Sequence, residues 1–221
     1  MAIHTNVISV HFPVVCLAGS AGGLEAYREI LRHLPNDNGM AFVIVSHRGE
    51  GDRTLLPSLL ARVTRMEVLE AEDGMALEPN CVFVKPARTH LTTDGLAFQL
   101  YDQPRSLGWS VDVTCFLLSL AKTCSSRSIA VILSGMGFDG SSALGNIKQA
   151  GGVVFAQSDP VYGDMPQSAV NTGYVDFTLS ATQIGQRLAA MSTPASAKRH
   201  EKLVGNVRCG RGKTSPDLHS F

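Results

Sequence analysis

The stretch VVCLAGSAGG, residues 14–23, passes from an apolar, β-branched run into small residues, and a helical pattern of apolar residues begins at Leu24. This change predicts a buried strand, a tight turn and a helix. Ser20 lies in the turn, beside the expected helix N-terminus, whose free N–H groups favour negative charge. Taken alone, the stretch leaves three interpretations open: a turn with a polar cap residue, a nucleophilic serine, or a cradle for a phosphate.

The rest of the chain alternates apolar runs with helical patterns, which is typical of α/β domains. Strands are predicted at residues 12–18, 41–45, 128–133, 153–156 and 174–179, and helices at residues 24–34, 55–63, 111–121, 144–150 and 184–191. Because the strands are apolar on both sides, they fit a sheet that is covered on both faces. We therefore predict an α/β fold with a mostly parallel, doubly wound sheet and helices on both faces.

Residues 66–101 have a different pattern, in which short β-like runs are separated by turn dipeptides. The runs are residues 66–71, 81–85, 90–92 and 96–101, and the turns are Asp73-Gly74, Pro79-Asn80 and Asp94-Gly95. Turn signals at this density favour antiparallel hairpins, and Asp94-Gly95 is the strongest of them. We predict an inserted antiparallel section here.

The composition is that of a globular protein, because 44% of the 221 residues are hydrophobic and 17% are charged. Lys and Arg together number 19, as do Asp and Glu, so the charge balance gives no reason to expect a nucleic-acid partner. No basic N-terminal region precedes an apolar run, and no run approaches the length of about 18 residues that a membrane helix needs. We expect a cytoplasmic protein that does not insert into a membrane.

The cysteines also favour a reducing compartment. They are odd in number and contain no C-x-x-C pair: Cys16, Cys81, Cys115, Cys124 and Cys209. Such a set indicates reduced core thiols rather than disulfides or metal ligands, and neither a metal site nor a cofactor is predicted.

Two regions differ in composition. Residues 1–192 are long enough for one domain with a sizeable core. From Thr193 onward, six Lys or Arg residues accompany two acidic residues, and apolar periodicity ends. We predict that residues 193–221 are a disordered basic tail, and that they are an inert, solvated extension rather than a binder of acidic surfaces.

Ser20, His47 and Asp139 each follow a predicted strand. If these strands are parallel, the three side chains meet at one edge of the sheet. A hydroxyl, an imidazole and a carboxylate are the groups that acyl transfer needs, together with N–H donors for the oxyanion. Each residue also has a simpler interpretation, His47 as a satisfied polar residue and Asp139 as part of a glycine-rich turn.

Two motifs resemble one known family. The segment AGSAGG at residues 18–23 resembles the G-A-S-T-G-G elbow of the CheB family of protein-glutamate methylesterases from bacterial chemotaxis, and SGMGFDGS at residues 134–141 resembles its T-G-M-G-x-D-G-A stretch. Further blocks occur in the family's order: Val45-Ser46-His47, Glu72-Asp73-Gly74, Lys85-Pro86-Ala87 with His90, Ser110-Val111-Asp112, Ala156-Gln157, and Met165-Pro166 before Ala169. The resemblance covers about residues 13–192.

The resemblance implies a role for each site residue. Ser20 would be the nucleophile, His47 the general base and acid, and Asp139 the carboxylate that orients the imidazole. The backbone N–H groups of Ala21 and Met136 would form the oxyanion hole. The implied reaction is hydrolysis of glutamyl methyl esters on the cytoplasmic helices of methyl-accepting chemotaxis receptors, with release of methanol and, in some members, deamidation of glutamine. Both reactions pass through an acyl-serine intermediate.

The chain departs from the family pattern at several points. Ala18 replaces the first glycine of the elbow, and Ala21 replaces a threonine, which keeps the backbone donor but loses a hydroxyl. Trp109 stands where a proline often precedes S-V-D. Only about a dozen residues precede the first strand, so no built-in N-terminal receiver domain is expected. Control would then come from a separate regulator or a partner in the receptor methyltransferase pathway.

Two competing hypotheses belong to other functional classes. One is a phosphate- or nucleotide-binding module built on residues 19–23. That segment lacks both G-x-G-x-x-G and G-x-x-x-x-G-K-[ST], and no lysine follows it to meet phosphates. The other hypothesis is a non-catalytic relative that docks on receptors. The methylesterase hypothesis is favoured because Ser20, His47 and Asp139 all lie in matching blocks.

Overall fold

The computed structural model describes residues 10–46, 55–102 and 111–192 of the chain. Four features of the sequence lie outside these residues: His47, Trp109, Ser110 and the predicted tail at residues 193–221.

The main sheet consists of seven strands: β1 Val14–Gly19, β2 Ala41–Ser46, β3 Glu67–Glu70, β4 Cys81–Val84, β7 Ser128–Ile132, β8 Val153–Gln157 and β9 Phe177–Leu179. Their order across the sheet is β3-β4-β2-β1-β7-β8-β9, and every neighbouring pair is parallel. A separate antiparallel pair consists of β5 Thr89–Thr93 and β6 Phe98–Asp102. The prediction of a mostly parallel sheet is therefore confirmed.

Helices cover both faces of this sheet, as predicted. One face packs against α1 Gly23–Arg32, α2 Leu56–Leu60 and α6 Ala181–Met191, and the other against α3 Asp112–Cys124, α4 Leu144–Gln149 and α5 Asp164–Asn171. Successive side chains of a strand point to opposite faces. In β1, Val15 and Leu17 accordingly join the first core, and Cys16 and Ala18 join the second. Burial on both sides is why this strand reads as a continuous apolar run.

The antiparallel section is confirmed but is shorter than predicted. Among the described residues, only β5 and β6 form a hairpin, whereas β3 and β4 pair in parallel within the main sheet. The segment between β3 and β4 runs back beside β6, where Ala76 and Ala97 form an antiparallel bridge. The chain reverses direction twice, at Asp73-Gly74 and at Pro79-Asn80, before it enters β4. As a result, β4 runs in the same direction as β3.

The Asp94-Gly95 turn has the geometry that its sequence predicts. The carboxylate of Asp94 accepts hydrogen bonds from the N–H groups of Leu96 and Ala97, each at 2.9 Å, and these bonds lower the pKa of the carboxyl group. Gly95 has φ 97°, in the left-handed region that favours glycine. The turn thus brings Thr93 opposite Phe98 in the β5–β6 pair.

Helix α5 was not predicted, because residues 157–166 contain several residues that commonly break helices. The helix begins at Asp164 and includes Pro166 in its first turn. Proline is tolerated there because the first N–H groups of a helix have no intrahelical acceptor.

None of the helices in the described part of the chain combines the length and the hydropathy that a membrane-spanning helix needs.

Candidate active site at the carboxyl edge of the sheet

The candidate site lies where the loops that follow β1 and β7 meet. The next strand along the chain, β2, pairs with one edge of β1, and β7 pairs with the other, so the strand order reverses between β1 and β7. Open α/β sheets place ligand sites in the crevice at such a point. Here the Ser20 N–H donates to the Ser134 carbonyl oxygen at 2.9 Å. The predicted nucleophile is therefore tied to the glycine-rich loop after β7.

The elbow after β1 requires glycine at two positions, Gly22 and Gly19. Gly22 precedes α1 with φ 74°, and a Cβ there would lie 2.7 Å from the Ser134 Oγ. A Cβ on Gly19 would lie 2.7 Å from the Tyr27 hydroxyl, which packs beneath the turn. Larger residues would push the elbow away from the loop after β7. Ser20 itself is half-buried, between the core and the solvent.

Two backbone N–H groups beside Ser20 could bind an oxyanion. A Cβ built on Gly135 would lie 3.1 Å from the Cβ of Ser20, so the peptide leading into Met136 lies next to the serine. Among the residues that the structure describes, the N–H groups of Ala21 and Met136 have no hydrogen-bond acceptor. Free N–H donors on two adjacent turns are what a tetrahedral oxyanion needs. Because the donor is a backbone group, it does not require the threonine that Ala21 replaces.

Asp139 is buried and held at the N-terminus of α3. Its carboxylate accepts hydrogen bonds from the Val113 N–H at 2.8 Å, the Thr114 N–H at 3.0 Å and the Thr114 hydroxyl at 2.7 Å. The three donors and the helix dipole stabilise a negative charge and fix the plane of the carboxylate. The position of Asp139 fits an orienting carboxylate.

Gly140 allows α3 to approach this loop. Its φ is 91°, and a Cβ would collide with the Val113 side chain. Its N–H donates to the Thr114 hydroxyl at 3.0 Å, and that hydroxyl donates to Asp139. The hydrogen bonds of Thr114 thus join the helix to both residues of the turn.

The third predicted residue, His47, lies outside the described residues, and its role remains a prediction. It follows Ser46, the last residue of β2, which pairs with Gly19 at the end of β1. The structure thus describes Ser20 and Asp139 at the same edge of the sheet, and it describes the end of the strand that precedes His47.

A buried charged cluster beside the site was not predicted from the sequence. The Asp112 carboxylate lies 3.3 Å from the Lys85 Nζ and 2.7 Å from the His90 Nδ1. The side chains of Lys85 and Asp112 are only 3% and 4% exposed. Lys85, His90 and Asp112 all occur in the family-like blocks of the sequence, but their pattern alone predicts no role for them. A lysine directly after the apolar run of β4 was the available signal.

This cluster joins three elements, because Lys85 follows β4, His90 lies in β5, and Asp112 is the first residue of α3. The next two residues of α3 donate their N–H groups to Asp139. The cluster therefore holds the end of the helix that binds the candidate carboxylate.

Replacing Asp112 with alanine is expected to destabilise the fold by about 3–5 kcal/mol, because it removes the negative charge that faces the buried ammonium group of Lys85. The free energy of unfolding in urea measures the effect. Asp37 is exposed and supplies the matched control, since Asp37→Ala should change stability by less than about 0.5 kcal/mol. Equal midpoints for the two variants would contradict the prediction.

The thiols near the site are poor nucleophiles. Cys16 lies in β1, and burial together with the charge of Asp139 raises its pKa far above the ordinary value. Burial, Asp112 and Asp139 also raise the pKa of Cys115. Both thiols stay protonated at neutral pH.

Within the described ranges, no group of three or more His, Cys, Asp or Glu side chains could hold a metal ion.

Comparison with known proteins connects this geometry to one family. A family model described as CheB methylesterase matches residues 15–188. The chain is similar to a solved structure, the CheB methylesterase catalytic domain of Thermotoga maritima, with a TM-score of 0.77 and 31% identity. The match covers 82% of this chain and 100% of that one.

Curated relatives of similar sequence are named after the same enzyme activity. The chain is 34% identical to a protein-glutamate methylesterase/protein-glutamine glutaminase of Carboxydothermus hydrogenoformans, over 80% of this chain and 54% of that protein. It is 32% identical to the protein of that name in Thermotoga maritima, over 79% and 53%. The chain thus spans about half the length of these relatives.

Proposed function

Because this chain belongs to the CheB methylesterase family, we propose that it hydrolyses methyl esters on glutamate side chains of methyl-accepting chemotaxis receptors in the cytoplasm. Relatives of similar sequence are named protein-glutamate methylesterase/protein-glutamine glutaminase. The observation that carries the proposal is the contact of Ser20 with the loop after β7. Beside this contact, the N–H groups of Ala21 in the elbow and Met136 in the loop have no acceptor among the described residues. A serine beside two free donors suits acyl transfer.

In the first half of the reaction, the Ser20 oxygen attacks the ester carbonyl carbon while His47 takes the hydroxyl proton. The carbonyl oxygen becomes an oxyanion and receives hydrogen bonds from the Ala21 and Met136 N–H groups. Asp139 orients the imidazole and stabilises its positive charge. When the tetrahedral intermediate collapses, the bond to the methoxy oxygen breaks, and the proton on His47 moves to that oxygen. Methanol leaves, and an acyl-serine remains.

In the second half, His47 takes a proton from water, and the hydroxide attacks the acyl carbon. The same N–H groups bind the second oxyanion. The bond to Ser20 breaks, and the Ser20 oxygen takes the proton from His47. The glutamic acid that is released loses its remaining proton to solvent and becomes the carboxylate. A glutamine side chain would follow the same course with ammonia as the first leaving group, so one site serves both reactions.

The surface around Ser20 fits a protein substrate. Four apolar or aromatic side chains of the surrounding loops are exposed: Met136 at 60%, Phe138 at 61%, Val161 at 71% and Tyr162 at 45%. Val161 and Tyr162 lie against the elbow, since a Cβ on Gly22 would be within 2.9 Å and 3.2 Å of their atoms. An exposed apolar border is typical of a surface that binds another protein, here the helix that carries the ester.

The proposal is tested by incubating the protein with receptor cytoplasmic fragments whose glutamyl methyl groups are radiolabelled. Release of volatile labelled methanol, together with loss of label from the fragment, is the expected result. Fragments that carry glutamine at the same sites should release ammonia. Full retention of the label by every receptor fragment tried would contradict the proposal and would favour a relative that docks without catalysis.

A further inference from the structure

Ser134, the first residue of the glycine-rich loop, is fully buried, and all of its polar groups are engaged. Its N–H donates to the Gln157 Oε1 at 2.9 Å, and its carbonyl accepts the Ser20 N–H at 2.9 Å. Its hydroxyl donates to the Ala21 carbonyl at 2.8 Å and accepts the Tyr162 N–H at 3.0 Å. We propose that Ser134 is a positioning residue, whose hydroxyl aligns the two N–H groups of the oxyanion hole. This inference rests on the proposed function.

The first of these donors is held from both sides. The Ala21 N–H belongs to the peptide that joins Ser20 to Ala21. The group before that peptide, the Ser20 N–H, bonds to the Ser134 carbonyl, and the group after it, the Ala21 carbonyl, bonds to the Ser134 hydroxyl. Rotation of this peptide would strain or break one of the two bonds. The carbonyl of the same peptide, on Ser20, accepts the Gly23 N–H at 3.0 Å. Ser134 and Gly23 thus together determine where the Ala21 N–H points.

The second donor is held through the loop that leads into α5. The Met136 N–H belongs to the peptide whose carbonyl, on Gly135, accepts the Met165 N–H at 3.0 Å. The Gly135 N–H donates to the Tyr162 carbonyl at 3.0 Å. Because the Ser134 hydroxyl binds the Tyr162 N–H, it also fixes the loop to which the second donor is attached. One hydroxyl therefore links both sides of the oxyanion hole.

The backbone of Ser134 does not depend on the hydroxyl. Gln157 is buried, and its side-chain NH₂ group donates to the carbonyl and the carboxylate of Asp159, both at 3.2 Å, which leaves its oxygen facing the Ser134 N–H. The bond from the Ser20 N–H to the Ser134 carbonyl also remains when the hydroxyl is removed. A Ser134→Ala variant should therefore fold, with its oxyanion donors less well aligned.

We expect Ser134→Ala to lower kcat for methanol release by about 10-fold to 100-fold, because small misplacements of catalytic donors have effects of this order. KM should change by less than about twofold, because the hydroxyl does not touch the substrate in the ground state. Ser134→Thr keeps the hydroxyl and should restore kcat to within about threefold of the wild type. The T-G-M-G-x-D-G-A stretch of the family carries threonine at this position.

Ser128→Ala is the matched control. Ser128 is also fully buried, lies at the opposite end of β7, and donates its hydroxyl to the Leu120 carbonyl at 3.0 Å. It should lose a structural hydrogen bond and keep its kcat. Thermal unfolding of each variant shows that the assayed sample is folded.

The inference is overturned if Ser134→Ala keeps the wild-type kcat, loses no more than Ser128→Ala, or changes KM alone. A Ser134→Thr variant as slow as Ser134→Ala also overturns it, since the hydroxyl would then not be the cause. Wild-type protein that releases no methanol refutes the proposed function and this inference together. An active wild type with an unaffected Ser134→Ala refutes the inference alone.

Discussion

Ser20→Ala is expected to lower kcat for methyl-ester hydrolysis by about 10⁴-fold to 10⁶-fold, the effect of removing the nucleophile from a serine-based site. The substitution deletes only the Oγ atom, and the bonds of the Ser20 N–H and carbonyl to Ser134 and Gly23 persist because they are backbone bonds. The elbow should therefore keep its shape and still bind substrate. Single-turnover release of labelled methanol measures the rate without interference from product release.

Ser126→Ala controls for the loss of a serine as such. Ser126 is exposed and lies before β7, at the end of the sheet opposite the site. Its removal should leave kcat unchanged. If Ser20→Ala released methanol as fast as Ser126→Ala, Ser20 would not be the nucleophile, and the elbow would be a structural turn.

Asp139→Asn is expected to lower kcat by about 10³-fold to 10⁴-fold, because an amide cannot stabilise an imidazolium ion and favours the wrong imidazole tautomer. The structure adds a second cause. Both oxygens of Asp139 accept N–H groups of α3, from Val113 and Thr114, so an asparagine NH₂ group would have to face a donor. The carboxamide would therefore rotate or displace the first turn of the helix. Rates of methanol release, measured across a pH range, determine the loss.

A matched carboxylate separates catalysis from folding in this case. Asp176 also accepts a backbone N–H, from Val154 at 2.8 Å, and pairs with Lys148. Asp176→Asn should lower stability by about 1–3 kcal/mol and leave kcat within about twofold of the wild type. An Asp139→Asn variant with a kcat within tenfold of the wild type would contradict the assignment of Asp139.

The parts of the fold that the sequence predicts best are those buried on both sides. In β1 and β2 every residue is buried, and the apolar runs therefore nearly coincide with the strands. The strand β3, which is exposed at both ends and only partly buried in the middle, is less distinctive in sequence. The turn signals after it indicate reversals without indicating a partner strand. Pairing of β3 with β4 in parallel depends on the path of residues 71–80 along β6, which local patterns do not encode.

In the candidate site, too, some features follow from local sequence patterns and others do not. Ser20 and Asp139 could be expected at one edge because both follow strands of a parallel sheet. The contact of Lys85 and His90 with Asp112 could not be inferred, because Asp112 and His90 are 22 residues apart and no spacing rule joins a hairpin to a helix start. The hydroxyl bridge from Ser134 to the elbow was equally invisible from local sequence. Such contacts depend on how the helices, strands and loops pack, which the structure shows and local sequence patterns do not.

The bond from the Ser134 hydroxyl to the Ala21 carbonyl spans 113 residues of sequence. A contact of such long range requires a large loop to close, whereas the contacts within a helix are local. The pairing of β1 with β7 joins residues that are about equally far apart, so it closes the same loop and brings the elbow to the glycine-rich loop. During refolding, recovery of esterase activity should follow this pairing rather than the earlier formation of helices. A partly folded chain would contain Ser20 and Asp139 without the alignment that we propose for ester hydrolysis.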